Sequence, residues 1–388
     1  MKKFLKKKLP QPIIKWIQDK KKKYRIYQNI NADLAASKQK RVLISYLTEP
    51  FETNLSFSHH TNVNECTQII KIFINMGYCV DVIHCQDKEN LPYILNNQYH
   101  VIFGFGNAFY EAVLHNPKAK KVIYLTESHP DFSTMRERER VDYFYKRHGK
   151  KIGLTRSELY YKKEYIDIAD YGILLGSTTT LETYPSLNGR LFVTTPTGLI
   201  NKNYMYQERD FNKSRKNFIW FGSYGAVHKG LDILIDVFEG LQEITLYICG
   251  LYPTEERLFS FNNKNIKNLG FVEVNSSQFI ELMNKCSFVI LPSCSEGMST
   301  SVLTCMNHAL IPIVTRETGI VLKEFGVYLD DYRVEHIAEV VVACSRLDAE
   351  ELSIQHKKVY QYSRNNFNIK VYTLRLSLIL QKLLEYED

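Results

Sequence analysis

From residue 41 onward the chain alternates short apolar, β-branched runs with longer, helix-sized segments. One series of runs lies at 41–47 (RVLISYL), 78–84 (YCVDVIH), 100–105 (HVIFGF), 121–126 (KVIYLT), 171–176 (YGILLG) and 190–195 (RLFVTT). A second lies at 217–222 (NFIWFG), 244–249 (ITLYIC), 268–272 (NLGFV), 287–292 (SFVILP) and 310–315 (LIPIVT). A run apolar at successive positions buries both faces of a strand, as parallel sheets covered by helices require. The polar stretch NKNYMYQERDFNKSRK (201–216) separates the two series. The pattern predicts an α/β chain of two Rossmann-like domains, 41–210 and 211–370, facing across a cleft. Ligands of open sheets bind beyond the carboxyl ends of the strands, so a loop from each domain would border the site. The last stretch, 371–388 (VYTLRLSLILQKLLEYED), reads as an amphipathic helix.

Charge is concentrated at the start. Of a net +8 over 388 residues, residues 1–40 carry +11, which leaves the remainder at −3. In that arm Phe4, Leu5, Leu9, Ile13, Ile14, Trp16 and Ile17 interleave with lysines. A helix over 13–28 would place Ile13, Trp16, Ile17, Tyr24 and Tyr27 on one side, with Lys20 interrupting it. Residues 1–28 thus suit an anionic membrane surface, the alternative being a solubilising arm. No recognition motif accompanies the charge, so nucleic acid is not an expected partner. No apolar run approaches the ~18 residues of a bilayer span, and no apolar stretch follows the basic start as in a secretory signal. The eight cysteines show no C-x-x-C spacing and several lie in apolar runs, as reduced core thiols do. The expected location is cytoplasmic, with peripheral contact to the inner membrane face.

Several chemistries lack their motifs. There is no GxxxxGK[ST] phosphate loop, and Gly104 and Gly106 are followed by Phe109 where a dinucleotide fingerprint needs glycine. No D-x-D ends a strand, no H-E-x-x-H or Cys/His spacing follows His59 and His60, and no G-x-S-x-G elbow occurs. Neither a metal nor another cofactor is expected. Two segments of the second half do carry chemistry. The strand 217–222 runs into Gly222-Ser-Tyr-Gly-Ala-Val-His-Lys229-Gly230, a small-residue loop that admits a ligand to the backbone and ends in a mobile cation. The strand 287–292 precedes Ser293, Ser295, Glu296 and Gly297, with a helix opening near Ser299, whose first amides suit a phosphate. Glu296 can accept from sugar hydroxyls or cap that helix.

These segments resemble the C-terminal domain of GT-B fold glycosyltransferases, the retaining family 4 group. FIWFGSYGAVHKGLDILIDVF is similar to the first strand–loop–helix of the donor domain and LYICG to its second strand, and the likeness runs over 217–320. The resemblance implies a nucleotide-diphosphate sugar as donor and a glycan or lipid-linked acceptor, in surface polysaccharide synthesis. It implies donor contacts from Gly222, Ser223 and Lys229, and from Gly270, Phe271 and Val272 along the base. Ser295, Glu296, Gly297, Met298, Ser299 and Thr300 would cradle the sugar and the diphosphate. Glu296 and Lys229 would act in catalysis together with His129, from YLTESHPDF, whose other reading is a loop histidine or helix cap before Pro130. Lys229→Ala or Glu296→Ala would abolish most transfer with the fold intact. The final helix would cross back to brace the first domain, and 48–62 (TEPFETNLSFSHHTN) would offer an acceptor loop. Two departures stand out: Thr304 where the family has a ribose-holding Glu, and Ser223 where it commonly has an Arg. They keep open an inactive scaffold, and the same fold also serves nucleotide-sugar epimerases.

Overall fold

The computed structural model describes residues 24–31, 40–52, 60–157, 159–187 and 189–385. The first sheet holds β1 (Arg41–Tyr46), β2 (Cys79–His84), β3 (Val101–Gly104), β4 (Lys120–Leu125), β5 (Tyr171–Leu175) and β6 (Leu191–Thr194). The second holds β7 (Asn217–Phe221), β8 (Thr245–Cys249), β9 (Ile266–Asn268), β10 (Phe288–Leu291), β11 (Ile311–Val314) and β12 (Val327–Tyr328). Every strand pair is parallel, in the orders β2-β1-β3-β4-β5-β6 and β12-β11-β10-β7-β8-β9. Strand order reverses beside β1 in the first sheet and between β7 and β10 in the second. Two Rossmann-like domains therefore form as the apolar runs require. Central strands such as FVIL (288–291) are buried along their whole length.

Strand ends differ from the sequence reading where local chemistry intervenes. The strand expected at 268–272 ends at Asn268, whose side chain accepts from the Gly270 amide at 3.1 Å, and Gly270 turns with φ +63°. β12 is only two residues long, below what an apolar run reveals. The helix expected over 13–28 fails over its described end. Tyr27 instead bridges antiparallel to Val82, exchanging bonds of 2.9 and 2.7 Å. β2 is an edge strand with backbone groups to satisfy, and the extended segment satisfies them. Tyr24 stacks on His84 at 3.9 Å and Tyr27 on Phe51 at 4.4 Å. Residues 1–23, and 53–59 of the proposed acceptor loop, lie outside the described residues. Among the described residues no helix is long and apolar enough to cross a membrane. All eight cysteines are buried and unpaired, and burial pushes the thiols of Cys66, Cys85, Cys286 and Cys344 up to about 12.

The chain crosses between domains twice, at one place. Thr197 bonds through its amide and hydroxyl to Glu65 of α1 (Thr61–Asn75) at 2.7 and 2.9 Å. Two residues later the Leu199 amide bonds Thr304 of the second domain at 3.0 Å. The segment 201–216 packs on the second domain, with Tyr204 and Phe211 in its core. The return crossing follows Phe367, whose carbonyl accepts from Gly198 at 3.0 Å. A Cβ at Gly198 would stand 2.6 Å from the Leu303 backbone, so the two crossings fit only with glycine there.

One helix from each half of the chain crosses over. We number α2 (Pro130–His148), α3 (Leu231–Glu239), α4 (Thr300–Met306) and the final helix α5 (Ile369–Glu385). α5 returns to the first domain and places Tyr372, Leu376 and Leu380 in its core. α2 leaves the first sheet after β4 and lies along the second domain. Its Arg140 donates to the Pro292 carbonyl at 2.8 Å, Arg147 pairs with Asp232 and Asp236 of α3, and Arg136 meets Glu317 at 2.8 Å.

Leu376 is fully buried and Leu374, one half-turn away, is exposed. Leu376→Ala should cost about 2–5 kcal/mol in a denaturant titration, and Leu374→Ala within about 0.5 kcal/mol. Equal costs would mean that α5 does not hold its place on the first domain.

Candidate active site

The second sheet reverses its order between β7 and β10, and the loops leaving these two strands meet there, as open α/β sheets favour. After β7, Gly222 bonds the Cys249 carbonyl at 2.9 Å, and the Gly250 amide bonds the Gly270 carbonyl at 2.7 Å. A Cβ at Gly250 would come 2.2 Å from the Gly222 carbonyl, so the turns at 222, 250 and 270 are packed edge to edge. Ser223 and Phe271 are exposed on this rim, Phe271 at 70%, while Val272 is buried beneath. A bare ring beside a glycine turn is a stacking surface for a flat ligand.

Lys229 ends the loop. After β10, Glu296 comes back to meet it, and the two form a short, buried ion pair with side chains only 6% and 10% exposed. Ser293 also donates to the Glu296 carboxylate at 2.9 Å. Burial alone would raise this carboxyl, but Lys229, Arg156 and His228 outweigh it and hold it at about 2. The helix-cap reading of Glu296 does not hold, because its carboxylate faces the lysine and Ser299 is the residue preceding α4. Ser299 makes no side-chain cap, its amide bonds the Thr318 carbonyl at 2.9 Å, and its hydroxyl meets Ser301 at 3.1 Å.

The first domain closes on this pair. Ser128 donates to the Glu296 carbonyl at 2.5 Å and Thr180 to the Gly297 carbonyl at 2.6 Å. A Cβ on Gly297 would stand 2.3 Å from the Thr126 carbonyl, so only glycine lets the domains touch here. His129, next to Ser128, precedes α2 and accepts from the Asp131 amide at 3.3 Å. Its cap reading is thus observed, at the cleft edge; Nδ1 accepts, which assigns the proton to Nε2. Burial, opposed by Asp131, lowers its pKa. His129 also packs edge-on to Tyr184 at 5.4 Å.

The remaining expected residues have structural partners. The Ser295 carbonyl accepts from His228 at 2.6 Å if that ring nitrogen carries its proton, and Met298 is buried in the second core. The Thr304 hydroxyl donates to the Thr300 carbonyl at 2.8 Å and accepts from Leu199 at 3.0 Å, which commits it to the domain crossing. Thr300 opens α4 above it.

Several residues went unread in the sequence. Glu137 of α2 accepts from the amides of Thr155, Arg156 and Ser157 at 2.8–3.2 Å and from the hydroxyls of Thr155 and Ser157. His228 faces it at 3.5 Å, and both are buried. These donors hold the Glu137 carboxyl well below its usual range against burial. Burial opposes a charge on His228, but Cys294 and Glu137 raise it to about 10. Glu255 accepts from the Gly225 and Ala226 amides at 2.9–3.2 Å, and Arg156 bonds Glu127 at 2.5 Å. The charge-dense RERER stretch of α2 reads as a solvated face, which hid Glu137 and Arg140.

Residues 215–346 match the family described as glycosyl transferases group 1. The matched stretch lies within the second domain. A stretch of 125 residues is 29% identical to an uncharacterized glycosyltransferase of Methanocaldococcus jannaschii, over 31% of this chain and 33% of that protein. The whole chain has the GT-B fold of sucrose-phosphate synthase from Thermosynechococcus elongatus, at TM-score 0.59 and 13% identity over 90% of this chain and 100% of that one. A glycosyltransferase from Rickettsia africae matches over the same shares at 0.55 and 12%. The N-terminal domain of Candida albicans trehalose-6-phosphate phosphatase matches at 0.54 and 12%, over 92% and 98%.

The Glu137–His228 pair spans the domains and sets a pH dependence. A histidine raised from 6.5 to about 10 stabilises the fold fully below pH 6.5 and loses that contribution as pH rises through 10. Melting temperature should fall across this alkaline window, and Glu137→Gln should flatten the fall. An equally steep fall in the variant would remove the pair from the account.

Proposed function

We propose that the chain is a glycosyltransferase that moves a sugar from a nucleotide-diphosphate sugar to an acceptor hydroxyl. The observation that carries this is the buried Lys229–Glu296 pair at the switch point of a group 1 domain, with the first domain resting on Glu296 and Gly297. When a donor binds, the lysine turns to the phosphate, where leaving-group charge develops as the glycosidic bond breaks, and the first amides of α4 add partial positive charge. Glu296, released from Lys229, accepts from hydroxyls of the sugar. Phe271 lies along the base, with Gly270 and Val272 under it. His129 donates from Nε2 to the sugar at the cleft edge and orients it. Transfer proceeds with retention, by same-face attack in which the departing phosphate takes the acceptor proton. The acceptor, a glycan or lipid-linked saccharide of surface polysaccharide synthesis, enters from the first domain. The basic arm holds the enzyme against the anionic inner face of the membrane.

The buried ion pair changes how this is tested. Removing one partner strands a buried charge at a cost of about 3–5 kcal/mol, so the single alanine variants would lose stability as well as activity. Lys229→Gln with Glu296→Gln removes both charges together. With donor and acceptor supplied, the double variant should melt near the parent and turn over at least about 100-fold more slowly. Turnover near the parent's would remove both residues from the chemistry. The donor is found first by thermal shift with UDP, GDP, ADP and their sugars, since a ligand of the folded state raises the midpoint. Consumption of nucleotide-sugar without release of nucleoside diphosphate would identify an epimerase instead.

A further inference from the structure

The loop after β7 has fewer free donors than its sequence promises. The Gly225 and Ala226 amides are occupied by Glu255, and Lys229 is matched to Glu296. A diphosphate arriving here carries more than one negative charge, and a partly buried anion needs cations that face it. Arg156 is built into that position. Its backbone is fixed by Glu137, which accepts its amide together with those of Thr155 and Ser157. Its aliphatic stem lies on the loop itself. A Cβ on Gly225, where φ is +91°, would come within 2.9 and 3.0 Å of Arg156 Cγ and Cδ. The guanidinium donates to Glu127, and the side chain remains 18% exposed. Among the described residues Glu127 is its one hydrogen-bonding partner for the side chain, so further N–H groups of the planar fork remain for an oxygen-rich ligand. Glu127 itself sits two residues before His129, at the edge that closes on Glu296.

We infer that Arg156 is the second cation on the donor diphosphate, supplied from the first half of the chain and acting beside Lys229. This rests on the donor-site reading above. The diphosphate is then gripped from both sides of the cleft, by a lysine from one domain's loop and an arginine that the other half delivers.

The test is calorimetric binding of UDP, GDP and ADP to the full chain. Because Arg156→Gln alone strands Glu127, it is made together with Glu127→Gln, and folding is checked by melting. The nucleoside diphosphate that binds the parent should bind this variant about tenfold more weakly or worse. Adding Ser223→Arg, at an exposed position of the same loop, should restore much of the loss, which a purely structural role for Arg156 would not allow. Unchanged affinity in the double variant overturns the inference while leaving the donor site standing. A loss that Ser223→Arg fails to restore assigns Arg156 to shaping the loop and also overturns it. A parent that binds none of the three removes the donor-site reading, and the inference with it.

Discussion

A carboxylate leaves water only when donors replace it, and Glu137 is replaced on every side. The loop 155–157 wraps it with amides and hydroxyls, and His228 faces it from the other domain. This one buried charge fixes three things together. It places Arg156 against the glycine loop, holds α2 along the second domain, and keeps His228 beside the Lys229–Glu296 pair. Ion pairs from Arg136 and Arg147 and the hydrogen bond from Arg140 to the Pro292 carbonyl extend the same attachment along α2. The site is therefore a network of acids and bases in which each charged member faces one of opposite sign.

Such a network pairs most of its charges internally. Lys229 and Glu296, the two residues proposed to meet the donor, each occupy the other. Their pairing gives each buried group an opposite charge in place of the water it has lost. On the proposed reading a donor would bring its own anion to the lysine and its own hydroxyls to the carboxylate, and the surplus negative charge of a diphosphate is what calls for a further cation.

Much of this was legible in the sequence, and what was not has physical causes. Both sheets follow from runs such as FVIL (288–291) and VLIS (42–45), because strands buried on two faces cannot hide their composition. The loops bearing Lys229 and Glu296 follow from position, since each leaves a strand at the switch point. Glu137, Arg140 and Arg156 were illegible because a charged side chain looks the same in sequence whether water or a buried partner satisfies it. Thr304 shows the converse: its number suggests the donor site, whereas its hydroxyl joins α4 to the crossing at Leu199. The turn at Gly270 ended a strand that apolar composition alone would continue.

The two covalent passages between the domains run side by side, joined by the hydrogen bond from Gly198 to Phe367. Links that adjacent leave relative movement essentially one axis, like a book bound along a single spine. Opening such a book by a few degrees scarcely moves the pages at the spine and separates their outer margins by several times more. The direct bonds from Ser128 and Thr180 to Glu296 and Gly297 are clasps between facing pages. The contacts of α2 with the second domain, from Arg136, Glu137, Arg140 and Arg147, lie across the same opening, so turning about that line has to release them together with the two clasps.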